Sequence, residues 1–104
     1  MLEILLTDDV NRTLASIHDY TTQTWGISQA DKYLRGLLTS MEQLAITPAI
    51  GRSHEKIDAE YRLYSCGRHI VVYRYDKKQL MIVAILHESM DIATRIEDLI
   101  DPYH

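Results

Sequence analysis

The chain has 104 residues, 46% apolar and 25% charged, a composition that suits one globular domain over residues 1–104. No apolar run approaches the roughly 18 residues a membrane span needs, and MLEILLTDD lacks the basic start of a signal peptide. The net charge of −4 is unevenly placed. Residues 1–50 hold three basic against six acidic side chains, residues 51–79 seven against four, and residues 80–104 one against five. A nucleic-acid binder presents a basic face that releases counterions from phosphates. Here the basic third is flanked by acidic ends, so the balance favours protein partners while leaving RNA open. The single cysteine, Cys66, allows no internal disulfide and fits a reducing cytoplasm.

Leu2–Leu6 reads as a short first strand. Thr7, Asp8 and Asp9 then offer a helix N-cap with acids in the first turn, where the helix dipole favours them. Val10, Leu14, Ile17, Thr21 and Trp25 recur at helical spacing, which makes Trp25 an expected core anchor, and Gly26 is placed to stop the helix. Ser28 and Asp31 suggest an approximate capping box for a second helix. Its apolar residues are Ala30, Leu34, Leu37, Leu38, Met41, Leu44 and Ala45, and Pro48 ends it. So short a turn makes the two helices an antiparallel hairpin.

After a loop from Ile46 to Ala59 the period changes. Tyr61–Ser65 alternates loosely, and Arg68–Tyr75 is rich in β-branched and aromatic residues, with His69, Val71, Tyr73 and Tyr75 on one face. Arg68, Ile70, Val72 and Arg74 share the other. Asp76–Gln79 supplies a hairpin turn, and Leu80–Leu86 is continuously apolar, as in an interior strand covered on both faces. The first strand is expected on one side of it and Arg68–Tyr75 on the other. Asp91 can cap a last helix with Ile92, Ile96 and Leu99 on its apolar face, ended by Pro102. The order β-α-α-β-β-β(-α) predicts an α+β domain, the helical hairpin packed on a mainly antiparallel four-stranded sheet.

Several short stretches together resemble one family. They are Trp25-Gly26, Gln29-Ala30, Tyr33, Leu44-Ala45, Pro48, Ile50-Gly51-Arg52, Tyr61-Arg62, Arg68, Val72–Tyr75 and Ile85–Asp91. In this order and spacing, over residues 3–92, the chain is similar to ParE toxins of the RelE/ParE superfamily. The resemblance implies the toxin of a type II toxin–antitoxin pair, neutralised by a ParD-like antitoxin encoded nearby. It also implies inhibition of DNA gyrase and blocked replication, with nucleic acid met only through gyrase or the antitoxin. No cofactor is implied, and residues 93–104 extend past the motif.

Arg62, Arg68 and Arg74 are expected to give the sheet an anion- or acid-facing surface suited to an acidic partner. With Tyr73, His87, Glu88 and Met90 they are the candidate antitoxin- or target-binding residues. A second reading is a ribosome-dependent mRNA endoribonuclease of the RelE type. It would assemble Glu60, Arg68, Tyr73, Arg74 and His87, arginine stabilising phosphorane charge while His, Tyr or Glu moves protons. The ending His87–Asp91 and the acidic total favour the gyrase reading, without catalysis. A third is a binding module that keeps an antitoxin partner but no toxicity. The histidines give no metal spacing, His69 and His87 on neighbouring strands being only a pair.

Overall fold

The computed structural model describes residues 1–55, 57–92 and 94–95. Strand β1 (Glu3–Leu6) leads into α1 (Asp8–Trp25) and α2 (Ile27–Ile46), followed by a 3₁₀ turn at Pro48–Ile50. Three strands then follow: β2 (Arg62–Cys66), β3 (His69–Tyr75) and β4 (Gln79–His87). The sheet order is β1-β4-β3-β2, with β1 parallel to β4 and the other pairs antiparallel. The expected mainly antiparallel four-stranded sheet is therefore present, and β4 is interior.

Local chemistry explains the boundaries. Thr7 Oγ1 accepts the Val10 amide at 3.1 Å, capping α1 as the sequence implied. Gly26 alone separates the helices, at φ +94, a conformation other residues rarely adopt. The expected Ser28–Asp31 capping box is not formed. Gly26 holds the N-cap position without a side-chain bond, and Asp31 Oδ1 accepts from His18 Nε2 at 2.8 Å, linking the two helices instead. Leu38, expected in the apolar stripe, is exposed because its neighbour Leu37 takes the inward position. Gly67, at φ +58, is the first residue of the tight β2–β3 turn. Arg68, read as the start of a strand, is the second.

Each face of the sheet has its own core. Val10 and Leu14 of α1 and Leu37, Met41 and Leu44 of α2 close over Val71, Tyr73, Leu80, Ile82 and Ile85. On the opposite face Tyr61, Leu63, Ile70, Val72, Ala84 and Leu86 pack together with Ile57 and Ile92. The change of parity along β4 comes from a bulge. Val72 pairs with Ala84 but Tyr73 pairs with Ile82, so Val83 is the extra residue. Beyond it Ile85, and with it His87, return to the helix side. Asp91 caps the following turn, accepting from Thr94 Oγ1 at 2.9 Å. Ile96, Leu99, Pro102 and most of the extension lie outside the described residues.

Tyr73 is fully buried. Its hydroxyl donates to the Pro48 carbonyl at 2.6 Å and accepts the Gly51 amide at 2.9 Å, fastening the loop after α2. Gly51 must stay bare, since a Cβ there would lie 2.8 Å from Tyr73 ring carbons. Tyr73→Phe should cost about 1–3 kcal/mol by stranding both groups, read as a lower midpoint in urea unfolding. Gly36 stands in the interior of α2 with open space around its Cα. Gly36→Ala should have the opposite sign, raising stability by roughly 0.5–1 kcal/mol, and a lower midpoint would show that contact with a neighbour requires glycine there.

Candidate functional site

The register of β1 creates the site. Its pairing with β4 ends at Leu6–Ile82, yet β4 continues to His87. Among the described residues, no strand pairs with Val83–His87 on that side. Helix α1 passes beside this edge, and between them lies a groove of about 970 Å³. Its α1 wall carries Ile17, Tyr20 and Trp25, and Tyr33, Arg68, His69 and Met90 line it as well.

Trp25 corrects the sequence reading. It is 72% exposed, not a core anchor. It keeps the inward angular position of its stripe, but it lies along the groove wall, where there is no β1 strand to pack on. Tyr20 at 69% and Met90 at 39% exposure make the groove an apolar surface open to solvent, which in a folded protein commonly marks a docking site.

The floor near the end of β4 is a polar network. His69 and His87 are register partners, their rings 5.4 Å apart and nearly perpendicular. The Tyr33 hydroxyl accepts the Arg68 amide at 3.0 Å and is hydrogen-bonded to His69 Nδ1 at 2.6 Å. His87 Nδ1 is held by Ser89, hydrogen-bonded to its hydroxyl at 2.7 Å and approached by its amide at 3.1 Å. Arg68 Nη1 approaches Glu88 Oε1 at 3.5 Å, and the Glu88 amide donates to the Arg68 carbonyl at 2.9 Å. Burial pushes the Tyr33 hydroxyl up from its ordinary pKa, which keeps it a donor. Burial, and then the nearby His87, lower the His69 imidazole below its ordinary value.

The candidate residues divide between two ends of the sheet. Arg68, His87 and Met90 line the groove, and Glu88 is bonded at its rim. Arg74 faces Glu60 at 3.8 Å, and Arg62 Nη1 donates to the Gly51 carbonyl at 2.9 Å. Five residues of β3, about 16 Å at strand rise, separate His69 from Arg74. Tyr73, buried with its hydroxyl bonded, is not a contact residue. The nuclease set Glu60, Arg68, Tyr73, Arg74 and His87 is therefore not brought together. Sequence reasoning gave no role to Tyr33 or Gly67. The signal was available in Cys66-Gly67-Arg68, a glycine-first hairpin turn, whose Cβ-less Gly67 lets the Tyr33 ring sit where a Cβ would come within 2.8 Å.

The model of a family described as the ParE toxin of the type II toxin–antitoxin system parDE matches residues 4–92. The chain belongs to the ParE toxin family. It is 36% identical over 89 residues to Toxin ParE1 of Mycobacterium tuberculosis, spanning 85% of this chain and 91% of that one. Toxin ParE1 of Caulobacter vibrioides is 37% identical over 78 residues, 75% of this chain and 80% of the relative. Toxin ParE of Escherichia coli is 29% identical over 99 residues, covering 94% and 96%. A solved structure titled the chromosomal ParDE TA system from P. aeruginosa superposes with a TM-score of 0.72 at 19% identity, over 84% of this chain and 96% of its own. That likeness establishes the shared ParE fold: two helices on a four-stranded mixed sheet.

The lowered His69 imidazole carries a signed consequence for this ParE chain. Unfolded, it takes up a proton near its ordinary value of about 6.5; folded, only at lower pH. The stability it contributes is complete above that value and is lost as pH falls through the folded one. Urea unfolding at stepped pH should show this acid-side decline, and His69→Gln should flatten it. An unchanged slope in the variant would place the linkage on other groups.

Proposed function

We propose that this toxin blocks replication in the cytoplasm by binding DNA gyrase and holding it on cleaved DNA, with no bond-breaking step of its own. Residues 1–104 act as one unit. Family membership supports gyrase as the target, and the separation of the nuclease candidates supports the non-catalytic reading. A proton-moving histidine about 16 Å from the Glu60–Arg74 pair cannot share a scissile phosphate with it. We further propose that a ParD-like antitoxin lays an extended segment along the open edge of β4. The observation that carries this is the run Val83–His87, which no described strand pairs on that side, beneath an apolar wall. Main-chain bonds to an exposed edge give affinity, and apolar side chains between Tyr20, Trp25 and Met90 give fit.

Purified toxin should abolish supercoiling by gyrase and accumulate cleaved DNA, with the antitoxin reversing both. Codon-phased cuts in cellular mRNA by primer extension, with gyrase unaffected, would establish the ribonuclease reading instead. Growth without arrest on induction would establish the third.

The two-ended sheet separates the arginines by a binding measurement. Arg68→Glu at the groove should weaken the antitoxin complex roughly tenfold, about 1.4 kcal/mol. Arg74→Glu at the far end should leave affinity within about twofold. Equal losses, or a loss confined to Arg74→Glu, would move the antitoxin to the Arg62–Arg74 end.

A further inference from the structure

The β2–β3 turn carries more attachment than a hairpin turn requires. Gly67 and Arg68 follow the last paired residues, Cys66 and His69, at a place where turns ordinarily have few contacts. Here α2 grips the turn. The Tyr33 hydroxyl accepts the Arg68 amide at 3.0 Å and is bonded to His69 Nδ1 at 2.6 Å, and its ring occupies the space that a Cβ on Gly67 would need. Three residues further on the same helix face, the Gly36 carbonyl receives a weak bond from the Cys66 thiol at 3.7 Å. From the side of β4 the Glu88 amide donates to the Arg68 carbonyl at 2.9 Å. The amide and the carbonyl of Arg68 are thus both held.

The side chain of Arg68 is treated in the opposite way. It is 78% exposed, it lines the groove, and its ion pair with Glu88 spans 3.5 Å. A surface pair of that length contributes little, so the guanidinium is free to exchange it for a better-placed carboxylate. A cation on a loose turn has to be ordered when a partner docks, which costs affinity; one whose main chain is already fixed loses less freedom. We propose that Tyr33 is a positioning residue for Arg68: its hydroxyl and ring lock the Gly67–Arg68 turn and hold the guanidinium at the groove, ready for a carboxylate on the docked antitoxin segment.

Tyr33 has this role only if the groove is the antitoxin's seat. Glycine at position 67 then serves twice, taking φ +58 and leaving the Tyr33 ring room to close on the turn. The hydroxyl matters although the Arg68 amide that it binds is exposed. Water could satisfy that amide at small cost to stability, so what Tyr33 contributes is where Arg68 stands. Tyr33 also lines the groove, and direct contact with the partner is the competing account.

A double-mutant cycle on the affinity of the whole chain for its ParD-like antitoxin separates the two. Tyr33→Phe keeps the ring against Gly67 and removes the hydroxyl; Arg68→Ala keeps the amide and removes the charge. Arg68→Ala should weaken binding about fivefold and Tyr33→Phe about threefold, and the two together no more than Arg68→Ala alone. A Tyr33→Phe loss of equal size with and without Arg68 would make Tyr33 a contact or purely structural residue and overturn the proposal, as would unchanged affinity for Tyr33→Phe. In the free toxin, amide exchange followed by NMR should be about threefold faster at Arg68 in Tyr33→Phe, while the buried strand residue Val72 keeps its protection. Unchanged exchange at Arg68 would show that the hydroxyl does not lock the turn. Arg68→Ala without effect on affinity would take the antitoxin away from this part of the groove, and the role of Tyr33 with it; the other failures leave that seat in place.

Discussion

Nine residues of β4 against four of β1 is the mismatch on which the rest of this protein depends. A parallel partner satisfies the main-chain groups of Gln79–Ile82 and then turns away into α1. Beyond that point the strand is covered on both faces, and among the described residues nothing pairs with it along one side. Apolar cover makes the bare side costly to leave to water alone, since each unpaired amide beside a nonpolar wall is poorly solvated. The fold tolerates it because α1 leaves a passage wide enough for another chain. A longer β1 would close the sheet and remove the passage.

The bulge at Val83 then decides what the passage contains. In an unbroken strand Leu80 and Ile82 would share a face with Ala84 and Leu86, and His87 would point to the far side. One inserted residue reverses this, returning Ile85 and His87 to the helix face, where His69 waits. Tyrosines secure both ends of β3. Tyr73 fastens the loop after α2 at one end, and Tyr33 fastens the Gly67–Arg68 turn at the other. Each occupies the space vacated by a glycine, Gly51 and Gly67 respectively.

Much of this was legible in the chain. The element order, the helical hairpin with its glycine hinge, the interior position of the apolar strand and the family followed from periodicity, turn residues and ordered short motifs. Trp25 misled because helical periodicity reports angle about the axis, not whether anything lies opposite. Tyr73 misled because alternation assigns a face, whereas burial depends on what covers that face. The bulge was invisible, since seven apolar residues in a row carry no parity to break. The dispersal of the arginines was equally hidden: sequence proximity on a meander says little about which end of the sheet a residue reaches.

The opposite side of the sheet is treated differently. There Arg52 forms a one-residue ladder with Leu63, exchanging amide and carbonyl bonds of 2.8 Å each, and its guanidinium reaches Ser65. Strand β2 is thus already engaged at Leu63, its second residue. If two copies of the chain met along β4, neither would offer an equivalent free template on its other flank. Stacking of such sheets would stop at a pair, and the open edge required for recognition would not make this small protein a seed for fibres.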